Sequence, residues 1–492
     1  MNIEKKIDLR RIRIAREVLG FIPGAFARKM KILPIAEEAG VLTVLMADIA
    51  DLDTIGKLEN LTQLIVKPLQ IENEEQLTLA VRRYYPNSYK GDGAEAMFDA
   101  IINRALQMKC SDIHLSPTKL GGLIKMRLDG RIHLEQELES SAMMELVSFI
   151  KVMAGLDISE KRIPLDGNIS IDDDNQRINL RIATIPTLYG EHLTMRLLAG
   201  EMISGLDNLE TLGMTSKHYE LYSSALKNPN GIVLLSGPTG SGKTTTLYAS
   251  LRKFALTGDR HIITIEDPVE MPLENVTQIK VDSDDDRVSF SKALKSILRH
   301  DPDIIMIGEI RDFETADIAV KSALTGHLVF STLHTNSAAA ILTRLINLGV
   351  NPFLVAATLN IAVAQRLVRR PCEYCMEWVK PDEKTQILIE NCSLISPDKY
   401  NSLLIPKVNG CSFCSNTGYA GRTAIYEMLP VDENIKKMII AGTSEMELLD
   451  EMVNCYKLPS LKDDGIAKVI NGLTTFEEVE ANCPFNLNLR GN

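Results

Sequence analysis

The densest run of chemically capable residues is GPTGSGKTTT, Gly237 to Thr246, which follows the apolar GIVLLS and precedes LYASLRKFA. Gly237, Gly242, Lys243 and Thr244 fit G-x-x-x-x-G-K-[ST], and the flanks read as a buried strand followed by an amphipathic helix. The loop Gly237, Pro238, Thr239, Gly240, Ser241 and Gly242, continued by Lys243, Thr244 and Thr245, can curl backbone N–H groups around a di- or triphosphate. The helix N-terminus adds partial positive charge, Lys243 reaches the terminal phosphates, and Thr244 is placed to hold Mg²⁺. A turn that merely joined a strand to a helix would have no use for Lys-Thr at those two places. The run therefore predicts a nucleoside triphosphate site.

Three further stretches follow it. IITIEDPVE ends an apolar run with Glu266, Asp267 and Glu270, which places carboxylates at the carboxyl end of a strand, where ligands lie in open α/β sheets. DIIMIGEIRD repeats the device with Gly308 and Glu309, and Glu309 is the candidate base that orients an attacking water. TGHLVFSTLHTN places His327 and His334 on either side of a buried strand. An imidazole at a strand end can report a γ-phosphate through a hydrogen bond, although a lone histidine is more often a satisfied structural residue.

Cys372-Glu373-Tyr374-Cys375 and Cys411-Ser412-Phe413-Cys414 form two C-x₂-C pairs. Each can present two thiolates to one tetrahedral ion, and together they would close the Cys₄ shell of a structural Zn²⁺. Their separation exceeds the common zinc-ribbon spacing, and a redox dithiol or four unrelated core cysteines are the alternatives; nothing nearby reads as a thioredoxin unit. Cys110, Cys392, Cys455 and Cys483 read as isolated thiols.

These groups need a scaffold, and the composition supplies one. The 492 residues are 45% hydrophobic and 24% charged, enough for two or three domains with proper cores. A formal net charge of −11 argues against a surface built mainly for nucleic acid. No apolar stretch reaches membrane-spanning length, and the start lacks the apolar region of a signal peptide, so a cytoplasmic location is expected, with membrane contact only through a partner. Eight cysteines in such a compartment are not expected to form a disulfide framework.

Residues 1–86 read as a small α/β module, closed by a polar linker with Pro86, Gly91 and Gly93. Residues 94–199 read as a mixed α/β domain, with a hairpin turning at Asp129-Gly130. From 205 to 492, strands and helices alternate as a parallel sheet requires, with the cysteine insert at 370–416 and a helical part at 428–492. The acidic run Asp282 to Asp286 reads as a solvated loop rather than a metal site.

GPTGSGKTTT, TIEDPVE, DPDIIMIGEIRD and TGHLVFSTLHTN resemble the Walker A, Asp box, Walker B and His box of the secretion ATPase superfamily, which powers type II secretion and type IV pilus assembly. SDIHLSP, MRLDGRIH, EKRIPLDG and LRIATIPTLYGE resemble the domain that precedes the motor in that family. The resemblance implies an α/β chain with a RecA-like P-loop motor, a PAS-like preceding domain, a small N-terminal partner-binding domain and a Cys₄ zinc insert. It also implies ATP as substrate and a homohexamer that acts on an inner-membrane platform protein from the inner face of the membrane. The ATP sites would lie where the preceding domain folds over the motor, and Arg127, Arg181 and Arg196 match the arginines brought toward the phosphates. Each of these is also of the kind often found on a strand surface.

Two departures stand out. Lys295 replaces the family's usual arginine in LKSILRHDPD, while Arg299 is retained. The N-terminal segment lacks the leading RLG-type motif by which some members bind cyclic di-GMP, so that ligand is not expected. The Cys₄ insert and the extra N-terminal domain favour pilus extension or secretion over retraction. A hexameric nucleic-acid translocase or DNA-uptake motor of the same superfamily is the alternative, disfavoured by the acidic balance. A nucleotide-gated scaffold that barely hydrolyses is another, disfavoured by intact Lys243 and Glu309.

Overall fold

The computed structural model describes residues 30–71, 93–173, 176–198, 209–281, 289–390, 403–411 and 413–483, with isolated positions between 14 and 27 and between 77 and 84. Residues 85–92 of the linker expected around Pro86, residues 199–208, the acidic run Asp282 to Asp286, and Cys392 lie outside these residues. The chain divides into two compact units. One comprises Met1–Leu198 with Cys372–Met376 and Val408–Tyr419; the other comprises Ala199–Pro371, Glu377–Lys407 and Ala420–Asn492.

In the first unit, the short helix α1 (Arg16–Gly20) precedes β1 (Leu33–Glu38), β2 (Val41–Met46), α2 (Leu52–Thr62) and β3 (Ile65–Gln70). β1 and β2 run antiparallel, β2 and β3 parallel. α2 supplies the crossover; it begins where the Asp51 side chain accepts from Thr54 N, and it buries Leu58 against Val44 and Val66.

After α3 (Ala94–Gln107) come β4 (Asp112–Thr118), β5 (Gly121–Leu128), β6 (Arg131–Leu138), α4 (Ser140–Met153), β7 (Leu165–Asp173), β8 (Gln176–Thr187) and β9 (Gly190–Leu198). They form a six-stranded sheet in the order β6-β5-β4-β9-β8-β7, and its printed pairings are antiparallel. The β5–β6 turn falls at Asp129 (φ 47°) and Gly130 (φ 87°), the pair of positive φ angles that a tight hairpin demands. Apolar residues of α3 and α4, among them Phe98, Ile102, Leu146 and Ile150, share one core with Ile113, Ile124, Leu180 and Met195 of the sheet.

The second unit runs α5 (Ser216–Leu226), β10 (Gly231–Ser236), α6 (Lys243–Ala255), β11 (Ile262–Glu266), β12 (Thr277–Lys280), α7 (Phe290–Ile297), β13 (Ile304–Ile307), α8 (Phe313–Leu324), β14 (Leu328–Leu333), α9 (Ala339–Asn347), α10 (Pro352–Thr358) and β15 (Leu359–Pro371). β16 (Met376–Val379), α11 (Glu383–Glu390), β17 (Ile405–Val408), β18 (Tyr419–Pro430) and four helices complete the chain: α12 (Glu433–Ile440), α13 (Glu445–Asn454), α14 (Leu461–Ile470) and α15 (Phe476–Asn482). The main sheet has seven strands in the order β12-β11-β13-β14-β10-β15-β18. β10, β11, β13 and β14 are mutually parallel along this order, so their carboxyl ends share one edge.

These strands are buried on both faces, which explains their near-continuous apolar sequences. Alternate residues feed opposite cores: Ile232 and Leu234 pack on one face, Val233 and Leu235 on the other. The β10–β15 pairing carries a bulge, because Ile232 faces Leu359 while Val233 faces Ile361, which leaves Asn360 as the extra residue. Gly231 accommodates it, since a Cβ there would sit 2.4 Å from Asn360 Oδ1. Among the described residues, no helix is long and apolar enough to cross a membrane.

Candidate functional site

The phosphate loop leaves the buried end of β10 and enters α6 at Lys243. Gly237, Gly240 and Gly242 have φ of 151°, 77° and 86°. A Cβ at Gly237 would lie 2.5 Å from the Gln365 carbonyl, so both backbone angle and space require glycine. Lys243 is nearly buried, and its ammonium donates to the carbonyls of Gly237 (2.7 Å) and Pro238 (3.1 Å). Burial, and then the charge of Arg366, pull its pKa down to about 8, while Glu309 opposes the shift. Ser241 Oγ is buried without a partner beneath the loop, whereas Thr244 is exposed at the start of the helix. Pro238, Thr239 and Gly240 are also exposed, as a loop that must meet a ligand requires.

Glu309 stands just past the end of β13. One carboxylate oxygen pairs with Arg311 and the other lies 3.3 Å from His334 Nε2, just past the end of β14. The neighbouring strand ends thus bring Glu309, His334 and Lys243 to one edge of the sheet. Arg311, two residues beyond Glu309, joins the site: the Glu309 hydrogen bond raises its pKa and holds a cation beside the candidate base.

Glu266 departs from its expected role. It is buried, accepts from Thr264 Oγ1 (2.5 Å), Gln278 Nε2 (3.1 Å) and Tyr248 Oη, and so serves the core rather than presenting a ligand. Asp267 and Glu270, just beyond it, are exposed, and the Glu270 N–H donates to Tyr248 Oη at 3.3 Å. His327 also departs. It precedes β14, at the edge opposite the phosphate loop, where Gly231 N donates to its carbonyl and its Nδ1 sits 2.8 Å from the Ser322 carbonyl. Within one chain it does not join Lys243 and Glu309. Lys295 pairs with Glu314 at 2.5 Å on exposed surface.

The candidate arginines form a row across the six-stranded sheet. Asp112 is in register with Arg127 and Arg196, and Arg196 with Arg181. Arg196 Nε donates to Asp112 Oδ1 at 2.8 Å, and Arg127 Nε lies 3.5 Å from Oδ2. Burial pushes the Asp112 carboxyl up, but the hydrogen bonds from Arg196 and Ser111 and the two guanidinium charges together hold it below its ordinary value. Arg181 only approaches Asp166, at 4.0 Å, and remains half exposed.

The four insert cysteines converge, with sulfur atoms all within 4.8 Å of one another. Cys372–Cys411, Cys375–Cys414 and Cys411–Cys414 sulfur distances are 3.8, 3.9 and 3.7 Å. Four thiolates at about 2.3 Å from a tetrahedral ion would be about 3.8 Å apart, so the cluster has the dimensions to hold one metal ion. Cys411 N and Gly418 N point at Cys414 Sγ from 3.2 and 3.1 Å, a second shell suited to a thiolate.

Sequence reasoning missed Gln365, Arg366 and Tyr248. The first two were hidden in NIAVAQRLVRR, which reads as one more buried strand. The available signal was two adjacent long polar residues in the middle of an apolar run.

A glycine-rich loop on the edge of a parallel sheet, with a buried lysine and a carboxylate–histidine pair beside it, defines a P-loop nucleotide hydrolase. The family model described as type II/IV secretion system protein matches residues 90–481, and the MshEN domain matches residues 3–88. The type IV pilus assembly ATPase PilB of Myxococcus xanthus is 37% identical over 97% of this chain and 88% of its own length. Type II secretion system protein E of Pseudomonas aeruginosa is 43% identical over 78% of this chain and 74% of its own length. Among solved structures, the Legionella pneumophila ATPase DotB aligns with a TM-score of 0.58 at 20% identity, covering 80% of this chain and 97% of that one. The ADP-bound retraction motor PilT gives 0.52 at 24%, covering 78% and 96%. These two likenesses are of fold alone. The chain belongs to the type II/IV secretion system protein family and is an ATPase of it.

Proposed function

We propose that the chain is a homohexameric motor that couples ATP hydrolysis to pilin polymerisation in type IV pilus assembly, or to type II protein secretion. It would act through an inner-membrane platform protein from the cytoplasmic face. The observation that carries this reading is the shared sheet edge on which Lys243, Glu309 and His334 meet. Of the two machines the pilus is preferred, on the match of the Myxococcus xanthus pilus assembly ATPase to 97% of this chain.

In this reading ATP lays its phosphates on the loop from Gly237 to Thr245, and the Lys243 ammonium turns from the loop carbonyls toward them. Glu309 accepts a hydrogen bond from the attacking water and so aims its oxygen at the γ-phosphorus. The phosphoryl group passes to that oxygen as the bond to the departing ADP oxygen breaks. His334 and Arg311 grip opposite oxygens of Glu309 and hold the carboxylate in place. Thr244, exposed at the helix start, would hold Mg²⁺, which neutralises phosphate charge. Of the three candidate arginines, Arg127 and Arg196 are engaged with Asp112 while Arg181 only approaches Asp166, so Arg181 is the one assigned to the γ-phosphate in this reading. The four cysteines would hold a structural Zn²⁺.

The test is ATP turnover by the purified chain, alone, with the cytoplasmic part of the platform protein, and with single-stranded or duplex DNA. Stimulation by the platform protein and loss of nucleotide binding in Lys243→Ala support the motor. Stimulation by DNA alone would replace it with a translocase.

A further inference from the structure

β15 passes directly behind the phosphate loop, and two consecutive residues on it reach out on different sides. Gln365 Oε1 accepts from Thr246 Oγ1 at 2.9 Å, bracing the first turn of α6. A Cβ at Gly242 would lie 2.8 Å from Gln365 Nε2, so this brace also fits tightly under the loop. Arg366 is nearly buried. Its Nη1 donates to the Gln365 carbonyl at 3.0 Å, and a Cβ at Gly237 would lie 3.1 Å from it. Its Nη2 donates to Asn336, to the carbonyl at 3.1 Å and to Oδ1 at 3.3 Å. Asn336 lies two places beyond His334. The next residues are held as well: Ser337 Oγ donates to Glu445 Oε1 at 2.5 Å, and Ala338 N donates to Glu427 Oε1 at 2.7 Å. A buried guanidinium is costly unless its donors are met, so this fork is retained for a geometric purpose.

We propose that Arg366 is a positioning residue for hydrolysis: it pins the backbone beyond His334 against the phosphate loop, so that His334 and Glu309 stay aimed at the phosphates beside Lys243. The inference rests on the ATPase reading of the site. Its substance is the shape of the contact, since lysine would supply the charge but not the two-directional fork.

The experiment uses the full-length chain and measures steady-state ATP turnover, the Kd of a fluorescent ATP analogue and thermal unfolding. The variants are Arg366→Lys, His334→Ala and the double substitution. Arg366→Lys should lose about tenfold in kcat with nucleotide Kd unchanged, because a small misplacement of reacting groups costs rate rather than binding. In the His334→Ala background the same substitution should cost less than about twofold, since both act through one contact. Losses that multiply, or a kcat for Arg366→Lys that matches wild type, overturn the proposal. If Arg366→Lys does not fold, Asn336→Ala removes only the Oδ1 acceptor and leaves the guanidinium in place. It should lower kcat about threefold at constant Kd, and an unchanged kcat is contrary. Equal turnover by wild type and Lys243→Ala would remove the ATPase reading and this inference together, whereas Lys243-dependent turnover untouched by Arg366→Lys removes the inference alone.

Discussion

Tyr248, on the helix that begins at Lys243, donates its phenolic hydrogen to the buried carboxylate of Glu266 at the end of β11. Burial, then the hydrogen bond and charge of Glu266, push the phenol pKa far up, so Tyr248 is the donor. The same oxygen accepts from the Glu270 N–H, which ties the strand end carrying Asp267 and Glu270 to the phosphate-loop helix. Tyr248→Phe removes a buried bond to a charged group and should destabilise the motor by about 2 kcal/mol. Differential scanning calorimetry checks it, and an unchanged Tm would mean that Thr264 and Gln278 alone satisfy the carboxylate.

Glu309→Gln keeps the size of the side chain but replaces the charged carboxylate with a neutral amide, whose oxygen accepts from water more weakly and cannot take up its proton. Turnover should fall by about 10²-fold or more while nucleotide affinity is kept. Single-turnover hydrolysis beside equilibrium binding separates the two quantities; weakened affinity with normal kcat would assign Glu309 to ground-state binding instead.

Nucleotide affinity should depend on pH through Lys243. The protonated ammonium is the form that meets phosphates, and in the free chain its pKa is lowered to about 8. Bound phosphates raise that pKa, so binding takes up a proton as pH climbs past about 8, and Kd rises with pH from there. Because the charge of Arg366 contributes to the depression, Arg366→Gln should move the onset upward. Isothermal titration at pH values on either side of this onset measures both effects.

Arg196→Ala and Arg181→Ala should differ. Removing Arg196 leaves the buried Asp112 with the Ser111 hydrogen bond and the longer Arg127 ion pair, and should cost the six-stranded sheet about 1–2 kcal/mol at neutral pH. Asp112 has a lowered pKa in the fold, so the stability it contributes is present above the ordinary aspartate value and is lost as pH falls through the lowered one. The gap between wild type and Arg196→Ala should close over that acid range. Arg181→Ala should leave unfolding unchanged and slow turnover, which urea titration and kcat together report.

Cys411→Ser opens the cysteine cluster by removing one of four converging sulfurs. It should make the segment from Cys372 to Cys414 sensitive to proteolysis and abolish the zinc binding proposed for the cluster, with nucleotide affinity within about twofold of wild type. Metal analysis and limited proteolysis test it; a large loss of nucleotide binding would contradict a purely structural role.

Much of the site was legible because it lies in contiguous runs. Gly237, Lys243 and Thr244 share one turn, and an apolar run that ends in Glu309 or His334 announces a strand end. What stayed hidden was direction and distance. The strand between His327 and His334 is legible in the sequence, but only its parallel pairing with β10 reveals that His327 sits at the far edge. Glu266 and Glu309 looked alike as strand-terminal carboxylates. They differ because Tyr248, Thr264 and Gln278 surround the first, a neighbourhood assembled from α6, β11 and β12. Gln365 and Arg366 act on residues more than a hundred positions earlier or tens of positions away, and no local pattern reports that.

The bulge at Asn360 sets the phase of everything downstream on β15. With it, Gln365 meets Thr246 and Arg366 meets Asn336. Deleting that single residue would advance each later side chain by one place, setting a guanidinium under the helix start and Leu367 opposite Asn336. The chain would lose no residue of its nucleotide-binding signature and would still read as an intact ATPase by motif. With Arg366 in the positioning role proposed above, its competence to hydrolyse would depend on a parity that no motif carries.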